Sequence, residues 1–178
     1  MSDRDEIQWP VPKRAPITKI VDRETLASLA DELRDAEARI VTTNGSYDLM
    51  HAGHAKALRW SSGLGDVLIV GVNSDASVRA YKGVNRPIIP QKERSYQVAA
   101  LECVDYVCVF DEPEIGGPLL RSVRPHVHTT GSNWVGRVPE QDVIDELGVK
   151  IHFVPLFSDS EGKSWSTTDI VERIMASQ

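Results

Sequence analysis

The sequence has few of the features that mark membrane, secreted or nucleic-acid-binding proteins. It contains no run of about 18 apolar residues, so no segment is predicted to cross a bilayer. Its first ten residues are polar and acidic, unlike the apolar segment of a secretion signal. The 26 acidic residues outnumber the 20 basic ones, whereas a general nucleic-acid binder is expected to carry a basic surface. We therefore expect a cytoplasmic protein that binds neither membranes nor nucleic acid.

Cysteine is scarce as well, with only Cys103 and Cys108 in 178 residues. Both are placed in an apolar, strand-like run, so we expect buried free thiols in a reducing compartment. The length and the 41% hydrophobic content fit one domain with a substantial core. Residues 1–16 combine three prolines with charges and are predicted to form an N-terminal tail, which leaves 17–178 as a single domain.

Three common ligand-binding motifs are also missing. Residues 131–137 have glycines at P-loop spacing, but Arg137 and Val138 replace the required lysine and serine or threonine. No G-x-G-x-x-G follows the first predicted strand, so a dinucleotide fingerprint is not supported. His51 and His54 form H-x-x-H without the glutamate of H-E-x-x-H, and zinc would need a third ligand. Any phosphate site must therefore come from another arrangement.

The stretch from 41 to 58 supplies such an arrangement. It reads VTTNGSYDLMHAGHAKAL, which predicts a buried strand, a glycine-containing turn and the start of a helix. Helix N-termini carry partial positive charge, and glycines such as Gly45 and Gly53 let a ligand approach the backbone. His51 and His54 are three residues apart, so on one helical face they would present imidazole N–H donors to a single anion. A capping or surface role is the alternative for either histidine alone.

The rest of the chain alternates apolar strands with helical segments. Strands are predicted at about 39–44, 67–72, 106–110, 127–130 and 151–154. This order predicts an α/β, Rossmann-like parallel sheet of about five strands with helices on both faces. In such sheets ligands bind at the carboxyl ends of the strands. Three polar segments are predicted to meet there, at 42–54, 73–75 and 130–134.

The basic segment at 79–91 contains Gly83, Pro87 and Pro90 and is predicted to be a long loop. Phosphates require cations, so Lys82 in this loop is a candidate phosphate ligand, with a solvated charged surface as the alternative. A loop bounded by glycine and proline is also typical of a mobile flap that closes on a substrate.

Residues 43–54 read T-N-G-S-Y-D-L-M-H-A-G-H, which resembles the signature of the cytidylyltransferase-like nucleotidyltransferases. In that family the H-x-G-H element binds a nucleoside triphosphate. The segments at 72–79, 82–87 and 93–105 look very like the adenylyltransferase domain of bacterial ADP-heptose synthase. The resemblance begins at about Lys19 and covers most of the chain that follows.

The resemblance implies roles for individual residues. His51 and His54 are implied to be catalytic by binding the triphosphate, and Lys82 by neutralising phosphate charge. The implied nucleotide-binding residues are Asn44, Gly45, Ser46, Tyr47, Gly53, Gly131, Ser132, Ser166, Thr167 and Thr168. The implied substrate-binding residues are Asp48, Asn73, Asp75, Arg86 and Arg94. Asp48 and Ser166 also have structural explanations, as a turn residue and as a helix N-cap.

The reaction that these features imply is nucleotidyl transfer. The acceptor phosphate is already ionised at neutral pH, so cations and N–H donors are needed more than a strong base. The resemblance implies transfer of AMP from ATP to a sugar 1-phosphate, heptose 1-phosphate first, to give a nucleotide sugar for surface polysaccharide. Mg²⁺ is expected to bridge the substrate phosphates without a dedicated cage, with Asp48 as its one candidate protein ligand. The expected assembly is a homodimer of a stand-alone transferase with no kinase-like domain.

The segment at 131–134 departs from the heptose branch, which has a K-G-G-D-Y-like sequence here. This chain has G-S-N-W, and its Gly131 and Trp134 follow the G-D-D-W outline of glycerol-3-phosphate cytidylyltransferases. CTP or GTP in place of ATP is therefore an open alternative. Pantetheine-phosphate or flavin adenylyl transfer and a non-catalytic nucleotide-binding regulator are the others.

Overall fold

A five-stranded parallel sheet forms the centre of the molecule, in the order β3-β2-β1-β4-β5. The structure is a computed structural model that describes residues 14–112, 114–157 and 166–177. Its strands are β1 (Ile40–Gly45), β2 (Val67–Asn73), β3 (Tyr106–Phe110), β4 (Val127–Gly131) and β5 (Lys150–Val154). The predicted Rossmann-like α/β fold is therefore confirmed.

Helices connect and flank the strands. They are α1 (Arg23–Asp35), α2 (Ala52–Ser62), α3 (Asp75–Lys82), α4 (Gln91–Ala99), α5 (Gly116–Val123), α6 (Gln141–Leu147) and α7 (Thr167–Ala176). Short 3-10 turns lie at Pro16–Lys19 and Ser132–Trp134. The side chains of Asp22 and Ser74 cap α1 and α3 by accepting a backbone N–H, which fixes where each helix begins.

Alternate side chains of the strands build two hydrophobic layers. On one face, α2 and α4 pack against the sheet through residues such as Leu58 and Val98. On the other face, α1 and α5 cover the sheet through Leu26 and Leu119, and α6 extends this layer around Ile144. The strand sequences are apolar on both sides because helices bury both faces of a parallel sheet.

The strand order reverses between β1 and β4. The chain places β2 and β3 on one side of β1, and then β4 and β5 on the other. The β1–β4 register pairs Thr42 with His128 and Thr43 with Thr129. Ligands of open α/β sheets bind in the crevice at such a reversal, beyond the carboxyl ends of the strands. The fold therefore places a candidate site directly above β1 and β4.

Two details of local structure differ from the sequence-based prediction. Residues 79–82 belong to α3 and not to a loop, because Ser74 caps that helix and Val78 anchors it in the core. Only the segment 83–90 lies outside regular structure before α4. Cys103 is in a turn after α4 and only partly buried, whereas Cys108 is buried in β3 as predicted, and both thiols are free.

Residues 1–13 of the predicted tail lie outside the described part of the chain, so the boundary at residue 16 stays a prediction. Residues 14–16 are described, and Pro16 already begins the first 3-10 turn. Among the helices at 14–112, 114–157 and 166–177, none has the length and apolar character of a membrane span.

Candidate active site

A cavity of about 900 Å³ lies at the carboxyl ends of β1 and β4. The three implied catalytic residues, His51, His54 and Lys82, all border it. It is also bordered by Asn44, Gly45, Ser46, Tyr47, Gly53, Asn73, Gly131, Ser166, Thr167 and Thr168. The implied residues outside its lining are Asp48, Asp75, Arg86, Arg94 and Ser132. The structure thus gathers the implied catalytic groups at one cavity, while their individual roles stay predictions.

The two histidines are stacked and are held by backbone N–H groups. Their ring centroids are 4.0 Å apart, with an angle of 29° between the ring planes. His51 Nδ1 accepts from the Gly53 N–H at 3.1 Å, and His54 Nδ1 accepts from the His51 N–H at 3.4 Å. Because each Nδ1 is an acceptor, the neutral rings carry their proton on Nε2. Each ring is therefore an Nε2–H donor at the cavity wall.

This arrangement changes how the N-terminus of α2 acts. His51 is the N-cap residue with an extended backbone, so the two histidines form a reciprocal capping box rather than sharing a helical face. The Gly53 N–H, which lies at the predicted phosphate position, donates to His51. The imidazoles therefore stand between the positive end of the helix and any anion in the cavity.

Burial favours the neutral form of both imidazoles. Desolvation lowers the pKa of His54 to about 4, and the charges of His51 and Lys82 add to this effect. Desolvation also lowers the pKa of His51. Since a bound polyanion favours the charged form, the pair can donate hydrogen bonds while neutral and take up positive charge when phosphate arrives.

The turn between β1 and α2 is bent tightly around Asp48. Its neighbours Tyr47 and Leu49 have left-handed backbone, with φ of 50° and 48°, which costs a non-glycine residue free energy. The Asp48 carboxylate is completely buried and accepts the N–H groups of Ile88 and Ile89 at 3.0 Å. The strained turn is thus fixed by a segment forty residues further along the chain.

Asp48 also joins the turn to other parts of the site. Arg86 Nη1 lies 3.1 Å from Asp48 Oδ2, and the Thr167 hydroxyl donates to the Asp48 carbonyl at 2.8 Å. A buried carboxylate with these partners does not fit the role of a magnesium ligand. No group of three or more His, Cys, Asp or Glu side chains that could hold a metal exists in the described ranges. We therefore assign Asp48 and Arg86 to positioning the turn.

Arg94 and Asp75 form a second network beneath the same turn. Arg94 is completely buried and donates to the carbonyl groups of Ser46 and Ile89. It also donates to the Asp75 carboxylate at 2.7 Å, which in turn accepts the Gln91 N–H at 2.8 Å. The sequence implies substrate binding for both charges, whereas the structure uses them inside the protein.

Lys82 ends α3 and reaches back to the turn, where its Nζ lies 2.9 Å from Ser46 Oγ. Desolvation lowers the pKa of Lys82, and the charge of Arg86 adds to this effect. Tyr81 borders the cavity beside it, with its hydroxyl 3.5 Å from Asn73 Oδ1. We call His51, His54, Ser46 and Lys82 the histidine wall of the cavity.

The segments after β4 and β5 form a more exposed wall. Trp134, Pro155, Leu156 and Phe157 border the cavity there and are called the aromatic wall. Trp134 is 39% exposed and Leu156 is 59% exposed. Apolar surface of this kind suits a nucleobase, which needs a flat partner to stack on.

Ser166 stands at the same end of the cavity and confirms its structural explanation. Its hydroxyl accepts the Asp169 N–H at 3.0 Å and so caps α7. The neighbouring Thr167 hydroxyl is bound to the Asp48 carbonyl. The N-terminus of α7 is therefore tied to the turn as well as bordering the cavity.

Part of the lining could not be picked out from the sequence. Tyr81, Glu114, Glu140 and Phe157 border the cavity and were not among the implied residues. A search for phosphate ligands looks for cations and N–H donors and passes over carboxylates. The signal for Glu140 is a partner twelve residues away, His128, and only the fold brings the two together.

Comparison with known proteins agrees with this geometry. A family model described as cytidylyltransferase-like matches residues 42–173, from the first strand to the last helix. The chain belongs to the cytidylyltransferase-like family. The assignment as a nucleotidyltransferase is therefore confirmed at the level of the family.

Curated relatives cover nearly the whole chain. The bifunctional protein HldE of a Nitratiruptor species is 43% identical over 164 residues, which span 91% of this chain and 33% of that protein. The bifunctional protein HldE of Trichlorobacter lovleyi is 39% identical over 159 residues, which span 89% of this chain and 31% of that protein. The chain thus spans about a third of the length of these relatives.

Solved structures show the same fold. The lipopolysaccharide core biosynthesis protein of Thermoplasma volcanium GSS1 superposes with a TM-score of 0.56 at 25% identity, covering 69% of this chain and 99% of that one. The pantoate-beta-alanine ligase of Francisella tularensis, complexed with beta-gamma ATP and beta-alanine, gives a TM-score of 0.65 at 15% identity, covering 85% and 72%. The second likeness concerns the fold alone.

Proposed function

We propose that this cavity transfers AMP from ATP to a sugar 1-phosphate, with heptose 1-phosphate as the first candidate, and releases pyrophosphate. The observation that carries the proposal is the placement of two stacked N–H donors and Lys82 at one cavity. Donors and cations are what two reacting polyanions require from a protein. The resemblance of residues 72–105 to the adenylyltransferase domain of ADP-heptose synthase supports both the donor and the acceptor.

The proposed reaction needs no base from the protein. An ionised oxygen of the sugar phosphate attacks the α-phosphorus of ATP and forms a new P–O bond. The bond from the α-phosphorus to the bridging oxygen breaks, and its electron pair leaves with pyrophosphate. His51 and His54 donate hydrogen bonds from Nε2 to phosphate oxygens, and Lys82 neutralises charge that builds in the transition state.

Magnesium enters this proposal as part of the substrate. Mg²⁺ is commonly held by substrate phosphates with only one or two carboxylates, and it keeps several waters. Asp48 is occupied by two backbone N–H groups and Arg86, so the protein residues named above leave the ion to the triphosphate. The chain's own task is to orient the phosphates against the histidine wall.

A competition experiment tests the proposal. Equal concentrations of ATP, CTP and GTP are mixed with Mg²⁺ and heptose 1-phosphate and, separately, with glycerol 3-phosphate, and the nucleotide products are identified by mass spectrometry. ADP-heptose is the expected product. A protein that binds nucleotide but releases no pyrophosphate with any acceptor is a regulator, and that result contradicts the proposal.

One observation favours a second candidate, glycerol-3-phosphate cytidylyl transfer. Gly131 and Trp134 match the outline of that branch, and both border the cavity. Asn133 Oδ1 folds against Gly131, at a position where an added Cβ would collide with it. An uncharged amide near the base would read it differently from the aspartate of the heptose branch. Formation of CDP-glycerol without any sugar nucleotide selects this candidate.

The homodimer expected from the sequence is a further part of the proposal. α1 does not supply its interface through the apolar face, because Leu26 and Ala30 are completely buried in the core of the same chain. Sedimentation at micromolar concentration measures the mass directly. A dimer mass supports the assembly, and a monomer mass rejects it.

A further inference from the structure

Glu140 is a buried carboxylate at the cavity, held in place by a chain of polar groups. It is the N-cap residue of α6, is 8% exposed and borders the cavity. Its Oε1 lies 3.1 Å from Nε2 of His128, which is completely buried in β4. Nδ1 of His128 lies 2.9 Å from the Thr42 hydroxyl on β1. When Nε2 carries the ring proton, it donates to Glu140 while Nδ1 accepts from Thr42.

Gly116 leaves the space that this carboxylate occupies. A Cβ at position 116 would lie 2.5 Å from the Glu140 carboxyl carbon, which is a collision. Gly116 is also the first residue of α5, so the carboxylate rests near the positive end of a helix. Position 117 is different, since a Cβ there would meet only Val143 at 3.5 Å, an ordinary contact.

The charge of Glu140 restricts what it can bind. Burial raises the pKa of Glu140, but the hydrogen bond from His128 and its charge outweigh burial and hold the pKa below its ordinary value. The ionised group repels phosphate, so its partner in the cavity is an uncharged donor. Sugar hydroxyls are such donors, and hydrogen bonds to charged acceptors are among the strong ones.

We infer that Glu140 is a hydroxyl-binding residue, whose carboxylate accepts hydrogen bonds from a sugar that is bound through its phosphate to the histidine wall. The identity of that sugar rests on the proposed function, which supplies two sources of the same chemistry. One source is the ribose of the nucleotide, and the other is the acceptor sugar phosphate. Both place hydroxyl groups a few bonds away from a phosphate.

Two variants and two controls separate this role from a structural one. Glu140→Gln removes the charge and keeps the shape, whereas Gly116→Ala keeps the charge and displaces the carboxylate. Gly117→Ala adds the same methyl group where only an ordinary contact arises. Glu146→Gln removes a carboxylate of the same helix that is exposed and paired with Arg121. Thermal melting checks that each variant is folded.

The measurement is binding by titration calorimetry, which does not depend on turnover. The nucleotide arm uses ATP, 2′-deoxy-ATP and 3′-deoxy-ATP, and the acceptor arm uses mannose 1-phosphate and its 2-deoxy and 3-deoxy analogues. Glu140→Gln and Gly116→Ala are expected to weaken the hydroxylated probe of one arm about tenfold. In that arm they should change the affinity of at least one deoxy analogue less than about twofold, because the missing hydroxyl removes the same bond. The arm in which this happens names the sugar.

Equal weakening of all probes, or no weakening in either arm, overturns the inference. The controls should bind every probe as the wild type does. Failure of the proposed function has a different signature, which is hydroxyl-dependent binding through Glu140 without release of pyrophosphate. Failure of this inference alone appears as nucleotide transfer with affinities that Glu140→Gln leaves unchanged.

Discussion

The histidine wall and the aromatic wall of the cavity differ in how they are held. Behind the histidine wall, the completely buried side chains of Asp48 and Arg94 bind the backbone of the turn and of the segment 88–89. The aromatic wall is largely exposed at Trp134 and Leu156. Groups that must meet a transition state benefit from rigid placement, whereas a surface that selects a base or acceptor can be exposed. The difference indicates that chemistry is fixed on one wall and selection occurs at the other.

The largest expected effect comes from the histidine wall itself. His54→Ala and His51→Ala should each lower the rate of pyrophosphate release at least about 10²-fold, the scale for losing one preorganised donor. His152→Ala is the control, since this imidazole lies near Trp60 and outside the cavity lining. Melting temperatures show whether the variants are folded. Rates near wild type in both variants would remove the histidines from the mechanism.

Asp48→Asn tests the support behind that wall. The variant leaves Arg86 near a neutral amide, so the free energy of unfolding should fall by about 3 kcal/mol and turnover by about tenfold. Asp66→Asn is the control, because Asp66 also accepts a backbone N–H, from Arg39, at the other end of the strands. Urea denaturation measures stability. Unchanged stability together with lost Mg²⁺ affinity would show that Asp48 is a metal ligand after all.

Lys82→Ala probes the junction of the wall with the segment 83–90. Losing one cation should raise KM for ATP about tenfold, while Lys92→Ala, which removes an exposed lysine on α4, should have no effect. Protease cleavage within 83–90 should also slow when ATP and heptose 1-phosphate are bound together. Cleavage at the same rate with and without substrates would contradict closure of this segment.

Trp134→Ala should give the smallest effect, because it alters the exposed wall. Losing a stacking partner is expected to weaken ATP binding about fivefold and to leave the maximal rate nearly unchanged. Tyr96→Ala is the matched control, since Tyr96 is 45% exposed and lies outside the cavity lining. A loss of maximal rate as large as that of His54→Ala would abolish the distinction between the two walls.

The parts of the molecule that depend on local sequence could be predicted. The strand, turn and helix at 41–58 follow from apolar spacing and turn residues, and the Ser166 cap follows from its position before an amphipathic helix. The alternation of strands and helices was enough to predict the sheet and the edge where ligands bind. These features need only neighbours a few residues apart.

The parts that depend on distant contacts could not be predicted. Asp48 meets Ile88 and Ile89 forty residues away, and nothing in its local sequence distinguishes a buried anchor from a metal ligand. The extension of α3 to Lys82 was missed because the glycine and prolines that follow suggested a loop. The pairing of Glu140 with His128 arises only when α6 folds over β4.

The most direct test of the central claim is one reaction followed by ³¹P NMR, containing the wild-type protein, ATP, Mg²⁺ and heptose 1-phosphate. The account predicts that pyrophosphate and a sugar nucleotide with a new phosphate–phosphate linkage appear in equal amounts, and that His54→Ala suppresses both. ATP that stays intact, or that is cleaved to ADP and inorganic phosphate while the sugar phosphate is unchanged, would contradict it.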